Sequence, residues 1–171
     1  GLTESSGVAS SNPFNGDDRT GSIGHPLPGA DMRLLDKDDP DRDAPEGEPG
    51  ELAIHGPQIM QGYWNRPDAA AKVFIDRDSK RWLRTGDIAT IDDEGYICIV
   101  ERTKDMISVG GFKVFPSQVE AVLIEHPAVK ETLIIGVPDA YHGEMPRGFV
   151  ALQPGVEVTA LELRTWLNDR V

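Results

Sequence analysis

The chain has one cysteine, Cys98, so it cannot form an internal disulfide, which suits a reducing, cytoplasmic compartment. No apolar run approaches the roughly 18 residues of a membrane span, and no signal peptide opens the sequence. Positive charge is scarce: 17 Lys and Arg face 29 Asp and Glu across 171 residues, a net charge of −12. A field of that sign argues against nucleic acid or an anionic membrane as the main partner. It also means that any phosphate site has to be assembled locally. The four histidines, His25, His55, His126 and His142, have no mutual spacing suited to a metal, and with one cysteine as well the sequence argues against zinc. Ser5 and Ser6 lack the context of a nucleophile elbow, so a hydrolase triad has no support.

What is present divides into two halves. Residues 1–29, rich in Gly, Ser, Asn and Pro, read as loop laid over a larger body. Residues 30–36 suit a strand. From Asp36 to Glu51 eight carboxylates face Lys37 and Arg42, a solvated acidic loop without Ca-loop spacing. Gly50–Gly56 reads as a short strand and Asn65-Arg66-Pro67 as a turn. Asp68 reads as the cap of a short helix. Arg81–Leu83 and Ile88–Ile91 suit strands around Thr85-Gly86-Asp87, and Asp92–Gly95 is a hairpin turn into Tyr96–Val100.

Beyond Glu101 the pattern changes. Met106–Val109 and Phe112–Phe115 are expected to pair across Gly110-Gly111, which has hairpin chemistry but not the strand–loop–helix frame of a phosphate loop. Ser117 and Glu120 suggest a capping box, with Val119, Val122, Leu123 and His126 on one helical face; His126 is a face residue and not a ligand. Leu133–Val137 suits a buried strand, 138–148 a loop and Phe149–Leu152 another strand. Thr159 and Glu162 form a second capping box, opening a helix whose stripe is Leu163, Trp166, Leu167 and Val171. No Gly or Pro stops that helix, and no Met begins the chain, so truncation at both ends is expected.

Two polar pairs carry potential chemistry. Asp87, at a tight turn after a strand, could accept both hydroxyls of a ribose diol, or simply bond its own turn. Arg102, at the end of the next strand, could reach the same ligand, or pair on the surface with Glu101 or Asp105.

Five segments in order resemble the adenylate-forming (AMP-binding) superfamily of acyl-CoA synthetases, peptide-synthetase adenylation domains and luciferases. They are GLTE, GELAIHGPQIMQGYWNRP, LRTGDIA, ERTKDMISVGGFKVFPSQVE and GVPDAYHGEMPRGFVALQPG. The resemblance implies an α+β fold: residues 1–103 as the β-rich carboxy-terminal part of a large AMP-binding domain, and 104–171 as a truncated small α+β domain. It implies that Thr3 contacts nucleotide phosphate and Glu4 associates with Mg²⁺, both catalytic, and that Asp87 and Arg102 hold the ATP or AMP ribose. Lys104 would be the hinge, and Gly110 and Gly111 would line the pantetheine tunnel.

Lys at the hinge position, in this context, resembles fatty and other medium-to-long acyl-CoA synthetases. The implied reaction uses ATP, Mg²⁺ and CoA to activate a carboxylic acid, a fatty acid by this resemblance. It passes through an acyl-adenylate and then a thioester, with a domain swing between the halves. The family's phosphate loop, most of its acyl pocket and its adenylation lysine would lie outside this stretch, so the chain alone is expected to be inactive. An adenylation domain loading a carrier-protein thiol, and a non-catalytic binding module, remain as alternatives. A homo-oligomer is left open.

Overall fold

The computed structural model describes residues 1–14, 16 and 19–170. The chain folds as α+β in two compact units, Gly1–Thr103 and Lys104–Val171. Among the described residues no helix is long and apolar enough to cross a membrane.

In the first unit a single 3₁₀ turn, Thr3–Ser5, precedes strands β1 (Ser10–Ser11), β2 (Ser22–Pro26), β3 (Asp31–Leu35) and β4 (Gly50–His55). Helix α1 (Pro67–Val73) leads into β5 (Phe74–Arg77), β6 (Lys80–Ile91) and β7 (Ile97–Arg102). The sheet runs β1-β2-β7-β6-β4-β3, with β5 also paired to β6, and every pairing is antiparallel. Strand alternation sends Leu52 and Ile54 of β4 into one core with Ala9, Ala89 and Ile97, and Ala53 into another with Leu35 and Trp82. A strand buried on both faces explains why GELAIHG shows almost no alternation.

Three expectations are corrected in this unit. Residues 1–29 do not simply lie over the body, because β1 and β2 extend its sheet. Their polar composition conceals strands whose pairing is supported by side chains, as where Ser22 Oγ donates to the Ile97 carbonyl at 2.9 Å. Arg81–Leu83 and Ile88–Ile91 belong to one continuous strand, irregular around Thr85-Gly86-Asp87. Asp68 is not the cap of α1: the cap position is Arg66, whose guanidinium pairs with Asp68 instead.

In the second unit β8 (Ile107–Val109) and β9 (Phe112–Val114) are followed by α2 (Pro116–Ile124), β10 (Val129–Asp139), β11 (Gly143–Leu152) and α3 (Ala160–Asn168). The sheet order is β10-β11-β8-β9, with α2 and α3 contributing to a core of Ile107, Leu123, Val129, Ile134 and Leu163. The β8–β9 turn is Gly110-Gly111, with φ of 56° and 92°; two positive φ values make the hairpin geometry that glycine adopts without strain.

Residues 138–148, expected as a loop, are mostly strand. β10 and β11 form one long hairpin whose turn is only Ala140–His142. Pro138, Gly143 and Pro146 conceal it in sequence. Leu133 and Phe149 face each other across this ladder but are exposed, 54% and 52%, so Leu133–Val137 is not wholly buried.

The Ser117–Glu120 capping box does not form. α2 begins at Pro116 with Phe115 in the cap position, and Glu120 Oε1 accepts the Ile134 N–H at 2.6 Å. His126 stacks edge-on against Trp166, and its Nδ1 accepts the Ala128 N–H.

The second capping box does form. Thr159 Oγ1 accepts the Glu162 N–H at 3.2 Å, and Glu162 Oε2 accepts the Thr159 N–H at 2.7 Å. Leu163 is buried and Trp166 donates to the Val122 carbonyl; Val171 lies outside the described residues. Thr159→Ala is predicted to cost about 1 kcal/mol, the usual worth of an N-cap. Hydrogen exchange should show roughly fivefold less protection at the Glu162 and Leu163 amides, with Thr159→Ser near wild type.

Candidate functional site

The site in the first unit is built on the irregularity of β6. Ala53 pairs with Arg84 and Glu51 with Ile88, so Thr85, Gly86 and Asp87 oppose the single residue Leu52. Such bulges re-aim side chains and are common beside active sites. Thr85 Oγ1 donates to the Leu52 carbonyl at 2.8 Å and accepts the Asp87 N–H at 3.1 Å. On the other side Gly86 O accepts the Thr103 N–H at 2.9 Å. Thr103 Oγ1 is buried without a hydrogen-bond partner among the described residues.

The clamp on this bulge is Glu51. It was grouped with the solvated acids in sequence, yet it is only 5% exposed. Its Oε2 accepts from Arg84 Nε and Nη2 at 3.0 and 2.6 Å, and its Oε1 accepts the Gly86 N–H at 3.2 Å. A carboxylate inside an otherwise apolar strand needs such partners, and that was the signal available in GELAIHG.

Asp87 stands directly opposite Arg102 in the β6–β7 ladder, with Arg102 Nε 3.4 Å from Asp87 Oδ1. The carboxylate is mostly covered and the guanidinium mostly exposed. Asp87 borders a cavity of about 150 Å³ with apolar walls that include Leu2, Ala9, Ile23, Leu52 and Ile54. A nucleotide needs more room than that, so this hollow is not itself a nucleotide pocket. It does explain the electrostatics. Burial pushes the Asp87 carboxyl above its ordinary value; Arg102 opposes this, and the Glu51 charge adds to it. Arg102 is too exposed, and so too screened, to cancel the cost of burial.

Thr3 and Glu4 lie on the 3₁₀ turn at the start of the unit. Ser5 Oγ, fully buried, ties the turn by donating to the Leu2 and Gly7 carbonyls and accepting the Leu2 N–H. Glu4 Oε1 accepts from the Tyr63 hydroxyl at 2.9 Å, and the Glu4 carbonyl accepts the Met60 N–H at 2.8 Å. This bond to the carboxylate holds the Tyr63 phenol above its usual pKa. Tyr63 was not singled out in sequence; nothing in its neighbourhood there points to Glu4, 59 positions away. Among the described residues no group of three or more His, Cys, Asp or Glu could hold a metal by itself.

The structure therefore brings Asp87 and Arg102 together and fixes Glu4 on Tyr63. In the second unit, Lys104 lies exposed in a turn and Gly110-Gly111 form the β8–β9 turn.

Residues 1–64 match the AMP-binding enzyme family and residues 118–171 match the AMP-binding enzyme C-terminal domain. The chain is 47% identical over 150 residues to a long-chain-fatty-acid–CoA ligase of Escherichia coli O6:H1, covering 88% of this chain and 26% of that protein. Among solved structures it is similar to ATP-bound MatB from Rhodopseudomonas palustris, with a TM-score of 0.87 and 33% identity over 100% of this chain and 33% of that one. It is also similar to o-succinylbenzoate CoA synthetase from Bacillus subtilis in complex with an acyl-adenylate intermediate, with a TM-score of 0.79 and 31% identity over 100% of this chain and 34% of that one. The chain belongs to the family of AMP-binding, adenylate-forming enzymes. It spans about a quarter to a third of the length of these relatives, from 26% to 34%.

The raised Asp87 pKa fixes the sign of a stability effect. A carboxyl whose folded value lies above its unfolded value of 3.8 contributes full stability below that value and loses it as pH rises through the folded value. At neutral pH the ionised group is a net cost. Asp87→Asn is therefore predicted to stabilise the chain at pH 7, with the advantage vanishing below pH 3.8. Urea denaturation of both proteins across that range measures it.

Proposed function

We propose that this chain is part of an ATP-dependent acid–CoA ligase that activates a carboxylic acid, a fatty acid by its likeness to long-chain-fatty-acid–CoA ligases. The observation that carries the reading is the Asp87–Arg102 pair. A desolvated carboxylate is held on a pinned bulge, where the exposed Arg102 compensates the cost of its charge only in part. A ribose diol gives that carboxylate two hydroxyl donors. Arg102, on the solvent side, adds a cationic contact to the same ribose.

In this reading Thr3 contacts the nucleotide phosphates. Glu4, pre-set by Tyr63, supplies one carboxylate to Mg²⁺. One carboxylate suffices, because Mg²⁺ ordinarily completes its shell with substrate phosphates and water. A carboxylate oxygen of the acid attacks the α-phosphorus, and pyrophosphate leaves. The thiol of CoA then takes the acyl group and AMP departs. Residues 1–103 are the carboxy-terminal part of the large domain, and 104–171 belong to the small domain that pivots at Lys104. Gly110 and Gly111 line the path of the pantetheine arm, where the absence of side chains gives it room. The reducing cytoplasm is the compartment that suits the unpaired Cys98.

A panel of carboxylic acids tested with ATP and CoA on the full-length enzyme checks the reading; AMP release with acyl-CoA formation supports it. The 171-residue chain alone, about a third of such an enzyme, should form no acyl-CoA. In the full-length enzyme Lys104→Pro, which fixes φ at the pivot, is predicted to spare adenylation and depress thioester formation at least tenfold. Equal loss of both half-reactions would count against the pivot.

A further inference from the structure

The second unit carries a titratable pair that the functional reading has not used. The β10–β11 turn lies beside the β8–β9 turn, because Gly143 pairs with Val109. The His142 carbonyl accepts the Gly110 N–H at 2.8 Å, and the imidazole Cδ2 lies 3.7 Å from the point a Gly110 Cβ would occupy. The ring therefore flanks the glycine turn.

Its orientation is set by Asp139. Asp139 Oδ1 accepts the Tyr141 and His142 N–H groups at 2.9 and 2.8 Å and lies 3.2 Å from His142 Nδ1. Those backbone bonds hold the Asp139 carboxyl below its ordinary value, so it is an ionised acceptor. An acceptor at Nδ1 requires the proton to sit there. The neutral ring then presents the Nε2 lone pair, the arrangement by which a carboxylate prepares a histidine as a base. Tyr141 stacks edge-on against the ring, with centroids 4.9 Å apart. The other carboxylate of this region, Glu144, is occupied by the Ser108 N–H at 2.9 Å. The β8–β9 turn, Val109–Phe112, brings no titratable side chain.

We propose that His142 is the proton acceptor for the CoA thiol in the thioester half-reaction, with Asp139 as its positioning residue. This rests on the reading above, in which the pantetheine arm passes Gly110-Gly111. The S–H proton moves to Nε2 as sulfur bonds to the acyl carbonyl carbon. The bond from that carbon to the phosphate oxygen breaks, AMP leaves with its electron pair, and the imidazolium returns its proton to water. A thiol with its ordinary pKa near 8.5 is only a few per cent ionised at pH 7, so a base beside it has a task to perform.

The test uses the full-length enzyme, with the half-reactions measured separately. Acid-dependent ATP–pyrophosphate exchange reports adenylation; a single turnover of preformed acyl-adenylate with CoA, from pH 5.5 to 9, reports thioester formation. His142→Gln should lower the CoA-dependent rate about 100-fold at pH 7, in the range of lost general-base catalysis. Exchange should stay within about twofold of wild type. The deficit should close toward pH 9, where the thiol ionises unaided, and added imidazole should partly rescue His142→Ala. Asp139→Asn should show the same pattern more weakly. An unchanged thioester rate and pH profile in His142→Gln, or equal loss of both half-reactions, overturns the assignment while leaving the ligase reading intact. A wild-type enzyme that exchanges no pyrophosphate and makes no thioester overturns both.

Discussion

The first unit depends on one buried carboxylate. Glu51 sits inside β4, accepts two bonds from Arg84 and a third from the Gly86 amide, and so fixes how three residues of β6 bulge past one of β4. Leaving either member of a buried pair alone typically costs about 3–5 kcal/mol, whereas exposed pairs such as Arg19–Asp92 contribute at most about 1. Glu51 therefore outweighs the surface ion pairs around it as a determinant of geometry. What it determines is the aim of Asp87. The same negative charge also adds to the cost of ionising Asp87, so the clamp both places that group and keeps it in tension.

That tension separates function from stability. Asp87 is desolvated by an apolar wall and only partly compensated by an exposed arginine. A fold selected for stability alone would place a neutral side chain there. In the proposed role, accepting two hydroxyls, the charge is needed, and the backbone around it is held by bonds independent of that charge: Thr85 to Leu52, Thr103 to Gly86, Glu51 to Gly86. The second unit repeats the principle with Asp139, whose backbone bonds maintain a charge that sets the tautomer of its neighbour.

Features determined within a few residues were legible in the sequence. The Thr159–Glu162 capping box, the Asp92–Gly95 turn and the Gly110-Gly111 turn all form where local chemistry places them. Features that depend on distant partners were not. β1 and β2 are strands because β7 pairs with β2, not because Ser and Gly favour extension. The long β10–β11 hairpin was hidden by prolines and glycines that its ladder accommodates. Ser117 and Glu120 had capping-box spacing, yet a helix begun by Pro116 freed Glu120 to reach β10. For the site, Asp87 and Arg102 could be named from their motifs, but their direct opposition is a matter of strand register. Glu51 was obscured by the acidic run before it, and Tyr63 by its distance from Glu4.

The central claim is that the pinned bulge presents Asp87 to a ribose diol. The direct measurement is a thermodynamic cycle on the full-length enzyme: affinity for AMP and for 2′,3′-dideoxy-AMP, in wild type and in Asp87→Asn. If the carboxylate receives both hydroxyls, wild type should prefer AMP by roughly 10- to 100-fold, and the variant should lose most of that preference, as charge-assisted hydrogen bonds of about 1.5–3 kcal/mol require. Equal discrimination by the two proteins would contradict the account, because the hydroxyls would then be read by some group other than Asp87.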